Sequence, residues 1–307
     1  MSISEAGKIT ESITLLGRPE TCVYLVSSGD ESILIGGGMA YIAPDVVWQI
    51  KKFGIDEKKI NRMIILHSHF DHCGLIPYCK KCWPWSAVTA SKRAKKILSD
   101  EKISKVIWDL NQTAIKNEGL EERAENINYS FNTVGVEETV GEGDVISCGD
   151  LTLEIMDVPG HSSCSIAVYI PEEKALFASD AAGVRCNDFS IAAGNSNFDQ
   201  YQQSLEKMAS YGVNVMLTEH YGAYVGEEAH SFLPYAIEVA RKTRVLMEES
   251  YRRTGDLKKS TEEISKLLSK DAPDFFLSLG VISMVVGMML KYIAKTLNNN
   301  SHVKLEE

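Results

Sequence analysis

A short histidine-rich motif constrains this chain more than any other feature. Residues 66–74 read Leu-His-Ser-His-Phe-Asp-His-Cys-Gly, directly after a run of apolar residues. An apolar, β-prone run followed by four potential metal ligands within six residues predicts a strand that ends in a metal-binding loop. In an extended chain, His67 and His69 project to the same side and can bind one cation together. Asp71 and His72 follow a turn and suit a second cation beside the first.

Composition and charge argue against several classes of partner. The chain of 307 residues has 32 Lys and Arg against 42 Asp and Glu, which gives a formal net charge of −10. Nucleic-acid-binding surfaces are basic, so nucleic acid is not an expected partner. The seven cysteines are an odd number and do not form the pattern of a disulfide framework. Because residues 1–19 also lack the pattern of a secretory signal, we expect a cytoplasmic protein.

The strand and helix patterns predict two β-rich halves. Apolar, β-prone runs separated by Gly, Pro, Ser and Asp indicate two antiparallel meanders, one on each side of the histidine motif. The runs are Ile13–Leu16, Thr21–Ser27, Ser32–Gly37, Leu151–Val158, Ser165–Ile170 and Lys174–Ala178. Helical spacing is found in Pro44–Phe53, Gly74–Lys81, two segments within 91–117 and Phe198–Tyr211. We therefore predict an α/β (α+β) fold of two packed sheets covered by helices.

A helical tail follows the second half. Its predicted helices are Pro234–Tyr251, Ser260–Lys270 and Phe275–Leu297. The uncharged part of the last helix is 16 residues long and contains two glycines, short of the ~20 residues that a membrane span needs. We expect a buried helix with a methionine-rich wall, no membrane partner, and a division of the chain into 1–228 and 229–307.

Three further strand ends carry residues of the same metal-binding types. A turn presents His161, an apolar strand ends at Asp180, and another ends at Glu219-His220. Of the seven histidines in the chain, only His230 and His302 lie outside these motifs and the opening one. Each motif alone is a weak signal, but together they indicate one shared metal site.

The motifs, in this order and at strand ends, resemble those of the metallo-β-lactamase-fold hydrolases. The resemblance covers about residues 10 to 225 and implies an αββα sandwich with two divalent metal ions at one edge. It implies that one ion binds His67, His69 and His161, that the other binds Asp71, His72 and His220, and that Asp180 bridges them. Ligands of these types accept Zn, Fe or Mn alike.

The same residues favour one side of that superfamily. True β-lactamases usually lack the equivalent of His72 and use a cysteine in place of Asp180, so the chain looks like the glyoxalase II, lactonase and phosphodiesterase branch. Residues 72–78 and the helical tail resemble the quinolone-signal response thioesterases, in which C-terminal helices roof the metal site. Many members place an aspartate where this chain has Gly36-Gly37. A supporting partner for one of the ligands is therefore expected from elsewhere in the chain.

The resemblance predicts a binuclear-metal hydrolase that uses a metal-bridging hydroxide to cleave a small ester or thioester, with Asp71 as the catalytic residue that orients the nucleophile. The alternatives are a phosphodiesterase and a regulatory, ligand-binding protein with incidental turnover.

The candidates for substrate contact are Phe198, Tyr221, Ser283 and Met284. Arg241, Arg244 and the helix that follows could form a homodimer face. The Cys-x-x-Cys pair at 79 and 82 is interpreted as two ordinary thiols.

Overall fold

The apolar runs of the N-terminal half form a seven-stranded sheet in the computed structural model, which describes residues 1–122, 133–187, 189–271 and 279–303. In spatial order its strands are β2 (Gly7–Lys8), β3 (Ile13–Arg18), β4 (Thr21–Ser28), β5 (Glu31–Ile35), β6 (Ile60–Ile64), β7 (Ala87–Ser91) and β8 (Glu138–Val140). The strands β2 to β5 pair antiparallel and β5 to β8 pair parallel. The first predicted meander is thereby confirmed.

Helices connect the parallel strands of this sheet, as crossover connections require. They are α1 (Ala43–Lys52), α2 (Ile76–Cys82), α3 (Lys92–Leu98) and α4 (Glu101–Asn117). Sequence signals explain where two of them start: the side chain of Ser91 accepts a hydrogen bond from the amide of Ala94, and that of Asp100 accepts bonds from the first turn of α4. The bounds of α1 and α2 were predicted within two residues, and α3 and α4 are the two helical segments predicted within 91–117.

The second meander belongs to another seven-stranded sheet. Its spatial order is β1 (Ser2–Ile3), β16 (Ala223–Val225), β15 (Val215–Leu217), β12 (Ala175–Phe177), β11 (Ile166–Ile170), β10 (Leu151–Asp157) and β9 (Val145–Cys148). Only the β12–β15 pair is parallel among the described strands of this sheet. The short edge strands β1 and β9 were not predicted from the sequence, because two to four residues show little periodicity.

The two sheets pack face to face. Alternate residues along the strands point into one buried core, as the two-residue period of a strand dictates. The core includes Ile13, Leu15, Tyr24, Val26, Ile33 and Ile35 from the first sheet and Leu153, Ile155, Ile166, Val168, Ile170 and Phe177 from the second. The rings of Tyr24 and Phe177 meet edge to face with centroids 5.6 Å apart. This arrangement confirms the predicted pair of packed sheets.

Both sheets belong to the first of two structural units, which comprises Met1–Asp157, Cys164–Ser179 and Gly212–His230. The second unit comprises Val158–Ser163, Asp180–Tyr211 and Ser231–Glu307. It holds the hairpin of β13 (Val184–Cys186) and β14 (Phe189–Ile191), the helix α5 (Phe198–Ala209), and the helices of the tail. The tail helices are α6 (Glu227–Thr254), whose first four residues belong to the first unit, α7 (Leu257–Asp271) and α8 (Leu279–Val303).

Helix α6 begins earlier than predicted. The helical pattern of the sequence predicted a start at Pro234. In the structure the helix starts at Glu227, and Pro234 lies inside it. The acidic residues of the observed first turn, Glu227 and Glu228, suit the positive end of the helix dipole. The predicted start is therefore wrong by about two turns.

The last helix, α8, is long and apolar. Its segment Leu279–Asn299 has a mean hydropathy of 1.4, and 33% of it is buried. By length and composition it could cross a membrane, a test that core helices of soluble proteins also pass. One stripe of the helix is buried (Ile282, Val286, Met289, Leu290 and Ile293), whereas Met284 and Met288 are exposed. The predicted residues 275–278 lie outside the described part of the chain.

Candidate metal centre

The histidine motif lies where a buried parallel strand ends. After β6, the amide of Ile65 still donates to the carbonyl of Thr89, and the carbonyl of Leu66 accepts from Ile166 of the second sheet. The chain then leaves the sheet at His67 and forms a short 3-10 turn over Phe70–His72. Ligand sites commonly form at the carboxyl ends of parallel strands.

A buried amide side chain fixes the conformation of this loop. The Nδ2 group of Asn111, on α4, donates to the carbonyl of Phe70 at 2.9 Å, and its Oδ1 accepts from the amide of Ala40 at 2.9 Å. A Cβ atom on Gly74 would lie 2.4 Å from this Oδ1, so only glycine fits there. Sequence reasoning missed Asn111, because a single polar residue on a helix gives no signal of its contacts.

The first two histidines of the motif converge, as their spacing predicts. The Nε2 atom of His67 lies 3.2 Å from Nδ1 of His69. The other nitrogen of His67, Nδ1, lies 3.4 Å from the hydroxyl of Ser179. His67 is buried and His69 is half-buried, so the pair combines restricted solvent access with two converging nitrogen donors.

A second set of donors is formed by Asp71, His72 and His220. The Nε2 atoms of His72 and His220 lie 3.1 Å apart. The Oδ2 atom of Asp71 lies 3.4 Å from Nε2 of His72 and 3.7 Å from Nε2 of His220. Both histidines are almost fully buried. The tertiary fold therefore brings together two histidines that are 148 positions apart in the chain.

The partners of the opposite ring nitrogens decide which atoms are available to bind a cation. Nδ1 of His220 donates to the carbonyl of Glu20 at 2.6 Å. Nδ1 of His72 donates to Oε2 of Glu219 at 3.0 Å. In a neutral imidazole the other nitrogen then carries a lone pair, so the two Nε2 atoms face each other as acceptors. Two facing lone pairs and a carboxylate oxygen are a donor set that a divalent ion fits.

The predicted ligands His161 and Asp180 lie together in the second unit. The Nε2 atom of His161 is 3.5 Å from Oδ2 of Asp180, and its Nδ1 donates to the carbonyl of Ala193 at 2.9 Å. His161 thus also presents Nε2 as the acceptor. The glycine before it is required, because a Cβ on Gly160 would lie 2.1 Å from the amide nitrogen of Tyr201 and its φ is +127°.

The residues predicted to contact substrate have different environments. Phe198 is fully buried, with its ring 5.9 Å from the guanidinium carbon of Arg244, so in this structure it packs inside the second unit. Tyr221 has a left-handed backbone (φ +61°), and its amide donates to the carbonyl of Pro19. Ser283 is half-buried, and Met284 is 58% exposed.

Other sequence features of interest have structural roles. Arg244 binds Asp199 and Glu248, and Arg241 binds Glu206, so both arginines form ion pairs within the chain.

Burial raises the pKa of the Cys79 thiol well above its usual value. A redox-active thiol needs the opposite shift. The raised pKa of Cys79 therefore agrees with its interpretation as an ordinary thiol.

Comparison with known families identifies the fold. The sequence profile of the Metallo-beta-lactamase superfamily matches residues 17–220. The chain belongs to this superfamily. The match spans the opening motif, His161, Asp180 and His220, and it confirms the resemblance on which the sequence analysis relied.

Relatives within the superfamily include two thioesterases. The chain is 32% identical to acyl-coenzyme A thioesterase MBLAC2 of Gallus gallus over 119 residues, 38% of this chain and 40% of that protein. It is 21% identical to atrochrysone carboxyl ACP thioesterase of Aspergillus fumigatus over 203 residues, 65% of this chain and 50% of that protein. The matches therefore span half or less of these two relatives' lengths.

Solved structures of the superfamily share the fold. A metallo-β-lactamase family protein of Thermus thermophilus, TTHA1429, aligns with a TM-score of 0.66 at 16% identity, covering 94% of this chain and 95% of that one. The metallo-β-lactamase MIM-1 of Novosphingobium pentaromativorans aligns with a TM-score of 0.55 at 20% identity, covering 77% of this chain and 88% of that one. The predicted α/β fold of the metallo-β-lactamase type is confirmed.

Proposed function

We propose that this superfamily member is a metal-dependent hydrolase that cleaves a small thioester or ester at a binuclear centre. One ion would bind His67, His69 and His161, the other would bind Asp71, His72 and His220, and Asp180 would bridge the two ions. The observation that carries the proposal is the pair of Nε2 atoms, 3.1 Å apart, on two buried histidines whose Nδ1 atoms are both used as donors.

The chemistry of such a centre suits acyl transfer to water. Divalent ions bound there would lower the pKa of water toward neutrality and would withdraw charge from the carbonyl of a substrate. Asp71 would orient the attacking water and hold its proton; the position of its Oδ2, within 3.7 Å of Nε2 of both His72 and His220, supports this role. The carbonyl of Glu20 holds His220 in the tautomer that such a centre needs.

The relatives support a thioester as the substrate class. Two of them are named as thioesterases, one for acyl-coenzyme A and one for an acyl carrier protein, and another is named hydroxyacylglutathione hydrolase. A lid formed by 229–307, substrate contacts from Phe198, Tyr221, Ser283 and Met284, the cytoplasmic location and the homodimer remain predictions from the sequence. The likeness to the quinolone-signal response thioesterases is part of the same proposal.

The test combines metal content with a substrate panel on one preparation. We expect two divalent ions per chain and faster hydrolysis of acyl-coenzyme A thioesters than of homoserine lactones or bis(p-nitrophenyl) phosphate. The variant His67→Ala should lose both metal and turnover. The matched control His230→Ala removes a half-exposed histidine that contacts Asn214, and it should retain both.

Each other outcome has a distinct meaning. A preference for the phosphodiester would replace the thioesterase proposal with a phosphodiesterase. Two ions without turnover on any substrate would favour the regulatory, ligand-binding alternative. A wild-type protein that binds no divalent ion would refute the proposed centre itself.

A further inference from the structure

We propose that Glu219 is the positioning residue of this centre: its buried carboxylate holds His72 in the ligand orientation and connects that histidine to the ends of two strands. This inference rests on the metal centre proposed above. It assigns a role to a residue that precedes a predicted ligand, His220, and that the sequence analysis left without a function.

The carboxylate of Glu219 is buried and satisfied by three donors. Its side chain is 2% exposed. Oε2 accepts from Nδ1 of His72 at 3.0 Å and from the hydroxyl of Ser179, and Oε1 accepts from the amide of Gly37 at 3.0 Å. A buried carboxylate is costly unless it is hydrogen-bonded, and these three donors offset that cost. Because both oxygens accept, an amide side chain, with one acceptor oxygen, would not satisfy the same donors.

The end of strand β5 is shaped around this side chain. A Cβ atom on Gly36, where φ is +94°, would lie 2.6 Å from Oε1 of Glu219. A Cβ atom on Gly37 would lie 2.3 Å from the carbonyl oxygen of His72. The site where an aspartate was expected therefore has no room for a side chain. Glu219 supplies the missing carboxylate from the segment that follows β15 in the other sheet.

Glu219 is placed to support a ligand rather than to bind the ion. His67, His72 and Glu219 bring donor atoms within 4.8 Å of one another, a spacing that is also typical of a metal site. However, the hydroxyl of Ser179 lies 3.4 Å from Nδ1 of both histidines and donates to Glu219, so it occupies the middle of this group. His72 directs its other nitrogen, Nε2, toward Asp71 and His220.

The Ser179 contact extends the effect to a further ligand. Ser179 has a left-handed backbone with φ +49°, which is uncommon for a residue other than glycine. Its hydroxyl is fixed by Glu219, and it directly precedes the predicted bridging ligand Asp180. Glu219 is thus connected to His72 directly, and to His67 and the chain before Asp180 through one hydroxyl.

The experiment measures metal affinity in the full-length protein without substrate. Glu219→Gln keeps the shape and an acceptor for the Gly37 amide, but it replaces one acceptor oxygen with an NH2 group that cannot accept from His72. Loss of such a partner typically lowers metal affinity about 10- to 100-fold. We expect the Zn²⁺ affinity of Glu219→Gln to fall by this factor, measured by competition with a chromophoric chelator. Without metal, the variant and the wild type should have similar thermal midpoints.

The matched control is Glu173→Gln. This carboxylate is half-buried and accepts hydrogen bonds from the hydroxyls of Thr10 and Ser12 in the same unit. The control therefore also removes a hydrogen-bonded charge, but none of the proposed ligands. Its Zn²⁺ affinity should equal that of the wild type. A similar loss in both variants would show a general effect of destabilisation and would overturn the proposal.

An NMR measurement separates positioning from a merely structural role. In protein labelled with ¹⁵N-histidine, the Nδ1–H proton of His72 should shift or exchange in Glu219→Gln, while that of His220, which donates to Glu20, stays unchanged. Unchanged Zn²⁺ affinity together with an unchanged His72 proton would overturn the proposal.

Two further outcomes are also decisive. If Glu219→Gln does not fold, Ser179→Ala removes only the hydroxyl link, and it should lower Zn²⁺ affinity by a smaller factor; no change in affinity would overturn the proposal. If the wild type binds no metal, the proposed function fails, and the inference fails with it. If the wild type binds metal and the affinity of the variants is unchanged, only the role of Glu219 is refuted.

Discussion

The hydroxyl of Tyr24 donates a 2.6 Å hydrogen bond to the carbonyl of Thr218, the residue directly before Glu219 and His220. Tyr24 lies on β4 of the first sheet, and Thr218 follows β15 of the second sheet. Burial raises the pKa of Tyr24 well above its usual value, so the phenol remains a donor across the working pH range. A second contact, from the amide of Cys22 to the carbonyl of Glu219 at 2.9 Å, fixes the same segment.

Removing the Tyr24 hydroxyl should weaken both the fold and metal binding. In Tyr24→Phe the carbonyl of Thr218 loses this donor and keeps the weak Cys22 thiol donor, at 3.3 Å. We expect a loss of about 1 kcal/mol in the free energy of unfolding, measured by urea denaturation, and weaker Zn²⁺ binding. Tyr169→Phe is the control, because that hydroxyl donates to the carbonyl of Gly212, which is not near a predicted ligand in sequence. A lower Zn²⁺ affinity in the control would contradict a specific role of Tyr24.

The predicted bridging role of Asp180 can be tested without changing the size of the side chain. Asp180→Asn removes the charge of a carboxylate that lies 3.5 Å from Nε2 of His161. We expect metal content and hydrolysis to fall together, measured by elemental analysis and by turnover of an acyl-coenzyme A. Asp150→Asn changes an exposed aspartate and should leave both unchanged. Normal turnover with two retained ions in Asp180→Asn would exclude the bridging role.

Metal removal should lower the thermal midpoint. A ligand that binds only the folded state stabilises it by about 2.7 kcal/mol at a free concentration of about 100 times its dissociation constant. For a chain of this length we expect a fall of about 4 °C on dialysis against a chelator, measured by calorimetry. In the His67→Ala variant, dialysis against the chelator should lower the thermal midpoint by less. Equal midpoints of the wild type with and without chelator would argue against metal bound in the folded state.

An ion pair in the second unit should make stability depend on acid pH. Burial alone would raise the pKa of Asp199, but hydrogen bonds from Arg244 and Tyr292 outweigh it and lower the pKa below its usual value. A lowered pKa stabilises the fold above the unfolded pKa of about 3.9, and this contribution disappears as the pH falls below that value toward the folded pKa. Asp199 connects α5, α6 and α8 in this way.

Asp199→Asn should therefore be less stable than the wild type near pH 6, and the difference should vanish near pH 2. We expect at most about 1 kcal/mol, because the side chain of Asp199 is 42% exposed and water screens the pair. Urea denaturation across this pH range measures the difference. Tyr292→Phe removes one of the two donors and should show a smaller pH-dependent loss. A difference that grows on acidification would contradict the assigned sign.

The cysteines should differ strongly in reactivity. Of the seven, Cys82 and Cys186 are partly exposed and the other five are buried. Burial raises the pKa of Cys22 to about 12, so its thiol is almost never ionised near neutral pH. We expect a thiol reagent to label at most two cysteines quickly in the native protein and all seven after denaturation. Fast labelling of Cys79 would contradict its interpretation as an inert thiol.

Local sequence patterns predicted most of the first sheet and the helices around it. Apolar, β-prone runs separated by Gly, Pro, Ser and Asp indicated β3, β4 and β5, and helical spacing indicated α1 to α4. The predictions were weaker where an element is short or is held by distant partners, as in β1, which pairs with β16 at the other end of the first unit's sequence. The predicted start of α6 at Pro234 was wrong, because the helix already begins at Glu227, before the proline.

The sequence by itself determined the superfamily and indicated the candidate ligands, because His67, His69, Asp71 and His72 are close in the chain and their spacing limits where each side chain can point. Only the tertiary structure decided which nitrogen of His72 and of His220 is available, since their partners, Glu219 for His72 and Glu20 for His220, are remote from them in sequence. Only the tertiary structure also showed that Glu219 supplies a carboxylate beside Gly36-Gly37, where many superfamily members have an aspartate. Such contacts depend on how the two sheets pack, which local periodicity does not encode.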